Sequence, residues 1–163
     1  MSNVLIDGIL FAWNFNRDYA NRLLADLSDE QMVVQPQPGM NHPAWTLSHL
    51  NAYHPVILQM LRGEKPEDPL DHPFGQKSRP VADVSAYPSK QTLLEAFNRG
   101  HDEIAVALRD GGDAALMHPM PIERWKTRWD VVGKSLPYLM MYHESTHLGQ
   151  LSAWRRVQGL PSV

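Results

Sequence analysis

Apolar residues in this chain recur at intervals of three and four rather than two, in four separate stretches. Over residues 3–27, Ile6, Leu10, Trp13, Ala20, Leu23, Leu24 and Leu27 fall close to one stripe of a helix. The polar turn SDEQ and the breaker run QPQPG end it. The spacing predicts a second helix over 43–62, with Pro43 suited to a first turn and Gly63 to a stop. Pro55 lies inside it and should bend or break it. A third helix starts at Ser89 as N-cap, carries Leu93, Phe97, Ile104 and Leu108 on its inner row, and is predicted to stop at Gly111-Gly112. In the fourth, Ser135 is placed to cap, Pro137 sits in the first turn, and Gly159 followed by Pro161 closes the element. Arg155 and Arg156 complement the dipole of its last turn. No stretch alternates between hairpin-type turn signals, and no repeat recurs at periods of about 20–50 residues.

Four amphipathic helices predict an all-α fold, a helical bundle, in one domain spanning residues 1–163. The connections 63–88 and 111–134 are long for a small domain, and such loops are usually functional or disordered. Either could run the length of the bundle, so periodicity alone leaves the helix directions open.

Composition removes several function classes. The net charge of −3 gives no general attraction to nucleic acid or an anionic membrane. The one basic cluster, ERWKTRW at 123–129, could touch a phosphate; its shortness and isolation make it read as a solvated loop with stacked tryptophans. There is no cysteine, hence no disulfide, no thiolate nucleophile and no Cys-type zinc site. Any metal must be held by His, Asp or Glu, the donor set of an exchangeable or catalytic site. The apolar N-terminal stretch carries Asp7, Arg17 and Asp18 and lacks a basic head or small-residue cleavage site. It reads as a helix rather than a signal peptide or membrane span, and a cytoplasmic location is the expectation.

The candidate chemistry lies in HESTH, with His143, Glu144 and His147. Two histidines four apart on a helix project from one face, which suits two ligands of one metal. They continue an inner row of Leu136, Met140, Leu151 and Trp154, so both imidazoles face the core and their nitrogens need partners. A shared metal and a pair of hydrogen-bonded core histidines stand level at this point. The H-E-x-x-H zinc metalloprotease reading needs a third ligand downstream and a strand edge for the peptide. The residues after His147 contain no His, Glu or Asp, and no strand precedes the helix, so it is disfavoured. A third ligand must come from upstream. His42, His72 and His118 each precede a proline in a predicted loop, and His54 precedes Pro55. His49 in AWTLSHL and His101 between Phe97 and Ile104 both lie on apolar helix faces, and periodicity does not choose between them.

AWTLSHL together with HESTHLGQLSAWRRVQGLP resembles the DinB-like family of small four-helix metalloproteins, over essentially the whole chain. The resemblance implies an up-down-down-up bundle, often a homodimer; Phe11, Trp13 and Phe15 give the first helix more apolar surface than one face can bury, consistent with that. It also implies a divalent metal, zinc or nickel, held by His49, His143 and His147. Three imidazoles leave positions open for water or substrate. The activities implied are those of a thiol-dependent S-transferase or a hydrolase acting on a small electrophile, with an external low-molecular-weight thiol as partner. A non-catalytic metal-binding stress-response bundle is the alternative. Glu144, the general base of a zincin, is expected here to orient the site from behind or to lie at the surface. Gln150 is a candidate for an inter-helix contact, and Trp45, Tyr53 and Tyr142 for the cavity wall.

Overall fold

A computed structural model describes residues 3–163 and arranges them as four helices joined by short 3-10 turns. Helix α1 is Val4–Leu24, α2 is Pro43–Leu61 and α3 is Lys90–Leu116. The fourth helix opens as a π-helical segment, Pro137–His143, and continues as α4, Glu144–Val157. Among the described residues the only extended pairing is an isolated antiparallel bridge between Pro119 and Val131. No helix among them is long and apolar enough to cross a membrane.

Caps form where local chemistry supplies an acceptor for the free N–H groups of a first turn. Asn3 caps α1, accepting from the amides of Leu5 and Ile6. Ser89 caps α3, accepting from Thr92. At α2 the acceptor is His42 Nδ1, which takes the N–H of Trp45. Gly63, at φ 72°, provides the left-handed turn that ends α2.

Three local expectations are corrected. Pro55 does not break α2: it lies on the exposed face, where water can take the carbonyl of Asn51 that it leaves unbonded. The Gly pair interrupts α3 without ending it, since Gly112 adopts φ 51°, ψ −140° and a further turn resumes to Leu116. Ser135 does not cap the fourth helix; its hydroxyl donates to the carbonyl of Val132 at 2.7 Å, and its own carbonyl accepts from Leu139.

Side-chain bonds fix the helix directions. Asn3, before α1, donates to Asp113 late in α3, and Lys90, opening α3, donates to the carbonyls of Ala25 and Leu27 beyond α1. These two helices are therefore antiparallel. Asn16 meets Ser145 at the start of α4, and Leu23 meets Arg155 near its end, so α1 and α4 are parallel. Asn51 bonds Leu93, and His54 packs on Phe97 and Gly100, which makes α2 and α3 parallel. The topology is up-down-down-up. Parallel α2 and α3 require a crossover along the bundle, supplied by residues 62–89. The antiparallel step from α3 to the fourth helix requires none, so the length of 117–136 has another use.

The core falls into two apolar clusters. One holds Ile9, Trp13, Met60, Ile104, Leu108 and Met140; the other holds Ala20, Leu50, Phe97, Leu148, Leu151 and Trp154. Near the junction of the two clusters each helix places a buried polar residue: Asn16, His54, His101 and Glu144. The outward side of α1 leaves Phe11 and Phe15 exposed, while Trp13 is buried.

Candidate metal centre

His49 is on the inner face of α2, four residues after Trp45, whose ring stacks on it at 4.8 Å and 15°. His143 is the last residue of the π-helical segment, and His147 follows one α-turn later. The π segment widens the helix where Pro137 supplies no N–H; such insertions recur at functional sites. The structure brings His49, His143 and His147 together, with one ligand-type atom from each lying within 4.8 Å of the others. The Nε2 atoms of His49 and His143 are 3.0 Å apart.

The hydrogen-bonding partner of His49 sets its tautomer. Its Nδ1 is 2.7 Å from the carbonyl of Phe74, an acceptor, so Nδ1 carries the hydrogen and the Nε2 lone pair faces His143. Phe74 belongs to the crossover demanded by parallel α2 and α3, so the topology delivers this partner. His147 Nδ1 is buried with no hydrogen-bond partner. Burial lowers the pKa of all three rings. His143 is brought to about 3, with the neighbouring His147 and His49 adding to the effect, and His147 to about 4, with His49 adding. His49 is lowered by burial, partly opposed by its bond to Phe74. Three neutral imidazoles therefore present lone pairs at neutral pH, the state in which imidazole binds a metal.

Beside the triad lies a cavity of about 410 Å³, within the range of small-molecule sites. Trp45 and Tyr53 line it as anticipated, whereas Tyr142 is 64% exposed and stacks outside on Tyr138. The segment 123–129 also lines it: the loop is largely exposed with its two tryptophans packed together, as expected, and in addition borders the triad's cavity. Trp125 is buried, and Trp129 packs edge-on against it. The Arg124 guanidinium sits over Trp125 and binds Asp68 through Nε at 2.6 Å; Arg128 sits over Trp129 and Tyr138. Among the described residues no carboxylate pairs with Arg128. The alternation of cation and tryptophan was present in the sequence; that this loop folds back over the triad was not.

Glu144 is 1% exposed, so the surface reading is corrected, and it does not line the cavity. Its Oε2 lies 3.1 Å from His101 Nε2 and 3.9 Å from His54 Nε2, forming a second group whose ligand-type atoms are also within 4.8 Å of one another. Burial raises the Glu144 pKa well above the usual carboxyl range. Burial also lowers His54 to about 3 and His101 to about 2. Both shifts favour neutral groups, with the Glu144 hydroxyl donating to His101 Nε2. His101 thus stands apart from the triad, and His54, which the sequence left without a role, groups with His101 and Glu144. Gln150 accepts from Asn41 at 3.0 Å, a contact between α4 and the turn before α2. His72 accepts from the amide of Phe74, and His118 faces the carbonyl of Met60, so both serve loop geometry.

A family model described as the DinB superfamily matches residues 12–151, a span that includes all three histidines of the triad. No curated protein matches the chain.

Proposed function

We propose, from the premise that this chain belongs to the DinB superfamily, that it is a metal-dependent enzyme whose triad holds a divalent ion beside a pocket for a small anionic electrophile. His49, His143 and His147 fit such an ion by their donor chemistry. They are neutral imidazoles, one with its lone pair aimed inward by Phe74 and another with a buried nitrogen lacking any partner. The ion, zinc or nickel in this reading, would supply Lewis acidity, lowering the pKa of a bound thiol or water and polarising a substrate oxygen.

The observation that carries the proposal is the convergence of those three rings on a cavity large enough for a reactant. The chain's own residues supply binding and orientation. Asp68 neutralises Arg124, so Arg128 is the cation left to take an anionic substrate group, with its guanidinium held over Trp129 and Tyr138. Trp45, Tyr53 and Trp125 give the pocket aromatic walls against which a reactant can pack. With no cysteine in the chain, a thiol nucleophile must come from a low-molecular-weight thiol, and S-transfer to an activated carbon is the leading activity. Hydrolysis, with water in place of that thiol, uses the same site. Phe11 and Phe15 support a homodimeric working form; sedimentation as a monomer at micromolar concentration would remove that part.

The test uses protein made without a His-tag. Metal content is measured first, then turnover of a panel of thiols with carboxylate-bearing electrophiles. Turnover should be lost on chelation and in His49→Ala, while Arg128→Ala should raise KM for anionic substrates about tenfold or more with a smaller change in kcat. Bound metal without turnover across the panel would leave a non-catalytic metal-binding bundle. Absence of metal in the wild type would end the proposal.

A further inference from the structure

We propose that His54, His101 and Glu144 form a second divalent-cation site inside the bundle, separate from the triad and built from two imidazoles and one carboxylate. The three side chains come from α2, α3 and α4 and are 5%, 0% and 1% exposed. Four of their polar atoms are buried without a partner: both ring nitrogens of His54, Nδ1 of His101 and Oε1 of Glu144. Buried polar groups are otherwise almost always satisfied, and a buried polar layer short of protein partners is usually less favourable than an apolar one. Asn16, His101 and Glu144 fall between the two apolar clusters on α1, α3 and the fourth helix, and on α2 His54 follows directly on Tyr53, the first residue of the other cluster. On α1, Asn16 donates to the carbonyl of Met140 and accepts from Ser145.

The donor positions suit one ion. Ligand atoms around a tetrahedral metal at about 2.0–2.2 Å are about 3.4 Å apart. Glu144 Oε2 is 3.1 Å from His101 Nε2 and 3.9 Å from His54 Nε2. Two imidazoles and a carboxylate select a first-row transition ion over magnesium or calcium, which prefer all-oxygen sites. Both rings are held in place. Trp13 stacks on His101 at 3.7 Å and 13°, and His54 lies against Gly100, where any Cβ would run into Nδ1. On the α2–α3 side a cavity of about 170 Å³ is lined by Asn51, His54 and Gly100, so of the three side chains His54 borders it.

This inference does not rest on the reading of the triad, and the experiment separates the two. Untagged full-length protein is freed of metal with a chelator and titrated with cobalt(II); ions per chain are read by native mass spectrometry, and tryptophan fluorescence reports quenching. Wild type should take two ions. The His49→Ala/His147→Ala variant should keep one, and that ion should quench Trp13 through its stack on His101, a loss that Trp13→Phe abolishes. His101→Gln should keep only the ion at the triad. One ion on wild type and none on the double variant would overturn the proposal and leave a hydrogen-bonded core layer. One ion on both would support it and count against the triad instead. Should His101→Gln fail to fold, the double variant decides alone, since it leaves every residue of the cluster in place.

Discussion

At the start of α2 the capping acceptor is an imidazole, and that makes one helix end sensitive to acid. His42 Nδ1 accepts from Trp45 at 3.2 Å, while Nε2–H faces the carbonyl of Val81 at 3.0 Å. Burial lowers its pKa from the usual 6.5, with the bonds to backbone carbonyls opposing the shift. Between those values the unfolded chain binds the proton and the folded chain does not, so stability is fully present above about 6.5 and falls as pH drops towards the folded value. His42→Asn keeps a capping oxygen without the titration, so its melting temperature should vary less than wild type between about pH 8 and pH 5.5. An unchanged pH slope would show that His42 does not titrate this way. His42→Ala should cost about 1 kcal/mol even at about pH 8. Gly100 is the second residue on which a single atom decides. Ala there places a Cβ against His54 Nδ1, and with Phe97 and His101 packed on the same ring the clash has no free direction to relax. We expect a loss of about 1–3 kcal/mol by denaturant unfolding, where an ordinary exposed helical Gly→Ala would gain stability.

Among the elements that carry histidines, the pair on the fourth helix was legible, whereas the roles of those on α2 and α3 were not. His143 and His147 share a face because four residues nearly complete an α-turn, and that follows from spacing alone. The π segment before them was not visible: it depends on how Leu136, Leu139 and Met140 seat in the core, which a one-dimensional period does not contain. On α2, His49 and His54 both sit among apolar residues, as does His101 on α3, and the pattern gave each the same signal. What separates them is the Phe74 carbonyl from the crossover and the Glu144 carboxyl from α4, both distant in sequence. Arg155 shows the same limit. Read from the sequence it complements a helix dipole, yet its side chain is nearly fully buried. It donates to Asp26 and to the carbonyls of Leu23 and Pro161, tying the C-terminal turn to the end of α1. Arg155→Met keeps much of the volume and strands those acceptors. It should cost about 2 kcal/mol or more, whereas Asp26→Asn, which leaves both backbone bonds, should cost less. Equal losses from the two variants would mean that the ion pair, and not the backbone bonds, holds the turn.

For the molecule as a whole, the two histidine groups lie where helices distant in sequence meet: the triad joins α2 to the fourth helix, and the core cluster joins α2, α3 and α4. An ion held at either binds the folded chain and not the unfolded one, whose histidines are scattered, so it must raise the unfolding free energy by linkage. At a free concentration about 100-fold above Kd one site contributes about 2.7 kcal/mol. For a chain of this size each kcal/mol moves the melting temperature by about 2–4 °C, so one occupied site should add about 5–11 °C over chelator-treated protein. His49→Ala removes a triad ligand without touching the core cluster. It should lose the triad's share of the rise and keep any share due to His54, His101 and Glu144. Scanning calorimetry with zinc and with nickel measures both shares, and the larger rise identifies the ion the protein prefers. No rise in wild type with either ion would mean that both groups are packing features of the bundle.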